Sequence, residues 1–236
     1  MPMKSVLFFS GALLAWTWQS ALALGGARAR LVLRASPKGE DAGVKWWSPS
    51  DIPEEDIRKP VVLLDVDGVL NGVYEELISG IWSDSECLEV YSPNNFQKTY
   101  RIVFSRTVVE TINDWSRADR CTVVWLTTWR TDAVTHLAPA LGIDDFAVAD
   151  WWPKRKTRDQ SWSAETPVLW IDDDSLDKDW ITRRPGTLGI SPSILGGGLT
   201  PKMLDVADDF LQGQFVNTDR GHVYADLGDG KSRFVG

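Results

Sequence analysis

The sequence predicts an α/β domain, a three-layer arrangement around a doubly wound parallel sheet. Two apolar runs that each end in acid, Val61-Val62-Leu63-Leu64 before Asp65 and Val168-Leu169-Trp170-Ile171 before Asp172, read as strands buried on both faces. Strand-like and helix-like patterns alternate between and after them, as expected of parallel strands joined by crossover helices. At 236 residues, with 43% hydrophobic and 25% charged side chains, the chain can hold one such core, and its composition is that of a globular protein.

The elements follow in order. Lys4 precedes an apolar run from Val6 to Leu24, and Ala21-Leu22-Ala23 offers a small-x-small cleavage site. Residues 1–23 are therefore expected to be a signal peptide that sends the chain into the secretory pathway. The run is close to spanning length, so an uncleaved anchor is the alternative and the chain's one route to a membrane. Gly25 to Lys38 contains Arg and no acid, which makes a two-part leader ending in a plastid the second reading of the address. The Pro-, Ser- and Gly-rich stretch from Ser36 to Lys59 reads as a linker, with the domain expected over 59–213.

Within the domain, Val61–Leu64 is the first strand. Glu89 to Ser92 and Tyr100 to Phe104 flank Pro93-Asn94-Asn95 and predict a hairpin. Ser105 can cap a helix that stripes Val108, Val109, Ile112 and Trp115 along one side. Thr122 to Leu126 is a buried strand, and Thr131 to Leu141 a helix stopped by Gly142. Short strands are expected at Phe146 to Val148, Pro167 to Ile171 and Thr187 to Ile190. Thr200-Pro201 opens a helix carrying Met203, Leu204, Ala207, Phe210 and Leu211. The tail, 214–236, suggests a small hairpin around Gly228-Asp229-Gly230.

Charge narrows the function classes. Residues 1–38 hold five basic groups and no acid, so the net −8 of the whole leaves −13 for the remainder. An acidic body repels a phosphate backbone and speaks against tight non-specific nucleic-acid binding. The two Cys, Cys87 and Cys121, read as buried thiols, and His136 and His222 are too isolated for a zinc site. No oligomeric signal is visible.

The chemistry concentrates at strand ends. In Leu64-Asp65-Val66-Asp67-Gly68-Val69-Leu70-Asn71, two acids at i and i+2 leave the carboxyl end of a strand, and Gly68 permits the sharp turn. Asp172-Asp173-Asp174 leaves a second strand in the same way. Three carboxylates within ~4 Å of one another repel by about 4 kcal/mol per pair at an effective dielectric near 20, which calls for a cation. All-oxygen donors favour Mg²⁺. Standing alone, an acidic run is also what a solvated helix N-terminus carries. Thr127 closes the strand Val123–Leu126, and Lys156 lies in the basic run Lys154-Arg155-Lys156-Thr157.

Asp-x-Asp, then Thr, then Lys, then paired Asp, in this order over roughly residues 60–212, resembles the haloacid dehalogenase-like (HAD) hydrolase superfamily. The phrases Trp125-Leu126-Thr127-Thr128-Trp129, Lys156-Thr157, Trp170-Ile171-Asp172-Asp173 and Gly198-Leu199-Thr200 resemble, more narrowly, the HAD domains of RNA-repair proteins. The resemblance implies a Rossmann-like fold and a Mg²⁺-dependent phosphohydrolase. In it Asp65 is the nucleophile, Asp67 the general acid and base, Thr127 a phosphoryl contact and Lys156 the balancing cation, with Lys154 as the alternative lysine. It also implies Mg²⁺ held by Asp65, the Asp67 carbonyl and Asp172, with Asp173 close by. Thr128, Trp129 and Asn71 are candidate substrate contacts. Trp129 and the pair Trp151-Trp152 are candidates to stack on a base, although packing is the commoner role.

Only 59 residues separate Asp67 from Thr127 and 15 separate Lys156 from Asp172, enough for a β-hairpin flap and not for a large cap domain. The expected partner is thus a phosphorylated small molecule or a nucleic-acid end. The alternatives are a non-catalytic module that holds a cation and a phosphotransferase of the same fold.

Overall fold

The structure, a computed structural model, describes residues 32–33, 43–94, 97–215, 218–226 and 232–235. The expected signal peptide, most of the leader and the Gly228-Asp229-Gly230 turn lie outside the described residues. The strands are β1 (Val32–Leu33), β2 (Trp46–Trp47), β3 (Val61–Leu64), β4 (Ser85–Ser92), β5 (Lys98–Ser105), β6 (Thr122–Trp125), β7 (Ala147–Ala149), β8 (Val168–Ile171), β9 (Thr187–Ser191), β10 (His222–Asp226) and β11 (Ser232–Val235). The α-helices are α1 (Glu75–Ile81), α2 (Arg106–Arg117), α3 (Ala138–Leu141), α4 (Lys178–Arg183) and α5 (Pro201–Leu211).

Eight strands form one sheet in the order β11-β10-β9-β8-β3-β6-β7-β2, parallel throughout except for the β10–β11 pair. β3 lies at its centre, with Leu64 opposite Trp125 of β6 and Ile171 of β8. From β3 the chain winds outward through β6 and β7, then returns to β8 on the other side and winds outward again. The point where the winding reverses lies between β3 and β8, where doubly wound sheets open a crevice at the carboxyl ends of their strands. A separate three-stranded sheet, β1-β4-β5, contains the expected hairpin. Between β3 and α2 the described residues hold only α1 and this hairpin, so no large cap domain is present.

Successive residues of a strand face opposite sides of a sheet, and the two sides are covered differently. Val62, Leu64, Val123, Trp125, Leu169 and Ile171 pack with the apolar faces of α2, α3 and α5. Val61, Leu63, Val124, Leu126, Val168 and Trp170 face a thinner layer containing Ile181 of α4. Tryptophans thicken that layer: Trp47, Trp151, Trp162 and Trp180 pack in tilted and edge-to-face contacts with centroids 5.9–6.2 Å apart, ending on Trp170. Large side chains of this kind contribute roughly 1.5–3 kcal/mol each when fully buried, so a few rings do the work of a longer helix.

The capping signals act as the sequence predicts. Ser105 Oγ accepts from Val108 N, and Thr200 Oγ1 from Met203 N, each at 3.3 Å. The 131–141 helix is less regular, because a widened π turn (Ala133–Leu137) precedes α3 just ahead of Pro139, which has no N–H for the i→i−4 ladder. One expectation needs correction. The linker is not wholly outside the fold, since Trp46–Trp47 pairs with β7 at the sheet edge. In the expected tail β10 and β11 pair antiparallel as a hairpin, and β10 also extends the sheet beside β9. Cys121 is buried, Cys87 half-buried, and both are free. Among the described residues no helix is long and apolar enough to cross a membrane.

Candidate active site

Because β3, β6 and β8 are parallel and in register, the residues following them emerge on one edge of the sheet. Asp65 extends the ladder by one bond, its N–H donating to Ile171 O at 3.1 Å, and Asp172 N donates to Ile190 O at 3.1 Å. The two carboxylates therefore flank the reversal point, both almost wholly buried. Gly68, at φ +74°, allows the two acidic loops to touch: a Cβ there would lie 2.2 Å from Asp173 Oδ2.

Asp65, Asp172 and Asp173 each offer an oxygen, all within 4.8 Å of one another. At that separation, like charges repel by roughly 3–4 kcal/mol per pair at an effective dielectric near 20. Lys154 answers part of this. Its buried Nζ donates to Asp65 Oδ2 and lies 2.9 Å from Asp172 Oδ2. The one ammonium thus pairs with both buried carboxylates. Asp172 Oδ1 accepts from Ser175 N at 2.7 Å and Asp174 N at 3.2 Å.

The titration shifts follow from this crowding. Burial, then the Asp172 charge, raises Asp65 to about 7 against the pull of Lys154. Burial raises Asp172 as well, with Lys154 opposing. Asp173 rises to about 6 through burial and the charges of Asp174 and Asp172. Burial works against the Lys154 ammonium, but Asp65 and Asp172 more than offset it, and its pKa is raised.

The donor set fits a divalent ion: three carboxylates, two of them almost wholly buried, and one ammonium that balances part of their charge. Asp65, Asp172 and Asp173 would hold it.

Asp67 lies two residues past Asp65 in the same cleft, oriented by donors on both oxygens. Asn71 Nδ2 donates to Oδ1 at 2.9 Å and Trp129 Nε1 to Oδ2 at 3.1 Å. This corrects the reading of Trp129 and Asn71 as substrate contacts. Trp129 is fully buried, its ring 4.9 Å from that of Tyr100 on β5. Asn71 is buried too, and its Oδ1 accepts from Val73 N and from Val103 N of β5. Both side chains brace Asp67 against the hairpin.

Thr127 is buried at the end of β6, its Oγ1 accepting from Trp129 N at 3.3 Å, whereas the exposed Thr128 borders the cleft. Lys156 is corrected to Lys154. Residues 154–159 form a 3₁₀ turn, in which positions three apart share a face. Lys154 and Thr157 face inward, and Lys156 is turned to the solvent-exposed side. Trp151 is also packed, its Nε1 donating to Thr157 Oγ1 at 3.1 Å. Trp152 remains 39% exposed at the cleft.

Asp132, which sequence reasoning passed over, is buried and ties down the hairpin tip. It accepts from Ser92 Oγ and, at 2.9 Å each, from Asn94 N and Asn94 Nδ2. No cysteine–histidine spacing or acid pair advertises it.

The cleft measures about 520 Å³ and is bordered by Asp65, Asp67, Thr128, Trp152, Lys154, Arg155, Asp173 and Ile194 among others. A second cavity of about 480 Å³ lies beside α4. Its inner guanidinium, Arg184, is already engaged with Thr187 Oγ1, Ser163 O and Thr166 O between the rings of Trp162 and Trp180, a packing role.

No protein-family model and no curated protein matches the chain. Two solved structures are similar. One, from Legionella pneumophila and assigned to the HAD superfamily (subfamily III A) as a hydrolase, is 17% identical with a TM-score of 0.38 over 70% of this chain and 90% of that one. The other, a hypothetical protein from Xanthomonas campestris, is 17% identical with a TM-score of 0.36 over 72% of this chain and 94% of that one.

Proposed function

We propose that the chain is a Mg²⁺-dependent phosphohydrolase of the HAD-like kind, cleaving phosphomonoesters through an aspartyl-phosphate on Asp65. The observation that carries this reading is the buried Asp65–Lys154–Asp172 cluster at the reversal point of a parallel sheet, with Asp67 braced two residues away. A carboxylate so placed reaches a phosphorus in the cleft, while Lys154 lowers the repulsion between it and a dianionic ester.

In the first step an Asp65 oxygen bonds to phosphorus as the ester P–O bond breaks, and Asp67 gives its proton to the departing alkoxide. In the second, Asp67 takes a proton from water, the water oxygen bonds to phosphorus, and the Asp65 O–P bond breaks. Phosphate leaves and both carboxyl groups return to their starting state. When bound, Mg²⁺ supplies charge that neutralises the phosphoryl oxygens and orients them. Asn71 and Trp129 hold the Asp67 carboxyl through the proton transfers, and the docked hairpin leaves the cleft open to a small phosphoester or a nucleic-acid end.

The test is phosphate release from p-nitrophenyl phosphate with Mg²⁺. Turnover that chelation removes and Asp65→Asn abolishes is expected. Equal release by the wild type and Asp65→Asn would sink the proposal.

A further inference from the structure

Trp152 has no part in the chemistry, yet it borders the cleft that holds it. Trp152, Pro153 and Ile194 are its apolar lining, and the rest of the lining is charged or polar. A phosphoryl group needs polar lining only, which leaves the apolar side chains for whatever the phosphate is attached to.

Trp152 is also held in place. The Arg130 guanidinium lies 5.8 Å from its ring centroid and 5.1 Å from that of Trp46. Arg130 Nη1 donates to Ala149 O and Trp151 O, both at 3.1 Å, and so fixes the loop that carries Trp152 and, two residues on, Lys154. Arg130 sits at φ +50°, a left-handed conformation that costs a non-glycine residue free energy and persists where neighbours over-determine it. A fixed, solvent-facing indole beside a catalytic cluster has the form of a stacking platform, since aromatic faces accept flat π systems with little ordering cost.

Building on the phosphohydrolase reading, we infer that Trp152 selects esters whose leaving group carries a planar aromatic ring, a nucleobase being the natural case. The cleft volume of about 520 Å³ suits a ligand of nucleotide size. The substrate class is thus a nucleoside monophosphate or a nucleic-acid terminus that presents its last base to Trp152, with Arg155 available to a further phosphate at the rim.

Binding tests this without turnover. Calorimetry in Mg²⁺ buffer would compare the 5′-methylenephosphonate analogue of adenosine monophosphate with propylphosphonate, neither of which can be hydrolysed. The nucleoside phosphonate is expected to bind roughly tenfold or more tightly, the size of one base–aromatic stack. Trp152→Ala should remove most of that preference and Trp152→Phe should retain most of it. Equal affinities in the wild type, or a preference that survives Trp152→Ala, would overturn the inference. Phosphate release is read separately: its absence with the binding preference intact would refute the phosphohydrolase reading and leave the platform standing.

Discussion

Replacing Lys154 with Met removes the one ammonium among the buried acids and keeps a side chain of similar length. In the folded protein its Nζ is 2.9 Å from Asp172 Oδ2 and also bonded to Asp65. A unit-charge pair at that distance is worth about 6 kcal/mol at an effective dielectric near 20. Desolvating the ammonium offsets part of this, and removing one partner of a buried pair costs a net of about 3–5 kcal/mol. For a domain of this size each kcal/mol shifts the melting midpoint by about 2–4 °C, so Lys154→Met should melt about 6–20 °C lower. Lys156→Met, on the exposed face of the same turn, should change it by no more than about 2 °C. The assay is thermal unfolding by circular dichroism in chelator-treated buffer, repeated with Mg²⁺. Added Mg²⁺ should raise the midpoint of Lys154→Met more than that of the wild type, because it supplies the positive charge the variant lacks. Equal midpoints for Lys154→Met and Lys156→Met, or a larger loss in Lys156→Met, would refute the assignment of the lysine.

Further outcomes follow from the same geometry. Trp129→Phe deletes the donor to Asp67 and keeps most of the ring contact with Tyr100; kcat should fall about tenfold or more, with the conserved packing limiting the loss of stability to about 1–2 kcal/mol. Asp132→Ala leaves Ser92 Oγ and two Asn94 N–H groups without their buried acceptor; a loss of about 2–4 kcal/mol is expected, with faster amide exchange at Asn94. Burial works against the Asp84 carboxylate, but hydrogen bonds from Thr107 and Ser105 outweigh it and lower its pKa. A lowered carboxylate pKa means stability present above about pH 4 and lost as pH falls through the folded value. Asp84→Asn should thus unfold about 2–4 °C lower at pH 7, as for a weakened cap, with the difference from wild type vanishing near pH 2. Asp173→Asn should weaken the Mg²⁺-dependent rise in melting midpoint, read against the wild type at equal ion concentration.

Much of the sheet was legible because burial on both faces leaves a plain mark: Val61–Leu64 and Val168–Ile171 are uninterrupted apolar runs, and the acid after each marks where the strand leaves the core. Ser105 and Thr200 were legible for a local reason, each being a cap that bonds three residues ahead. What depends on distant partners was not. Two-residue β2 carries no periodicity, and its place is fixed by pairing with β7 and by the Trp47–Trp151 contact. The short α1 and α4 offer too few turns for a helical stripe to stand out. Lys154 and Lys156 are indistinguishable by residue type, and the three-residue period of the turn decides between them. Trp129 looked like a stacking surface because nothing local shows that Tyr100, on the neighbouring hairpin, covers it.

The central claim is that Asp65 forms the covalent bond to phosphorus. A single turnover in ¹⁸O-water, with enzyme in excess over a phosphoester, tests it most directly. Acid-quenched enzyme should carry one phosphoryl group on the peptide containing Asp65, with the phosphate released later acquiring oxygen from water. Absence of a phosphoryl group from that peptide, or phosphorylation at another residue, while phosphate is still released, would contradict the account.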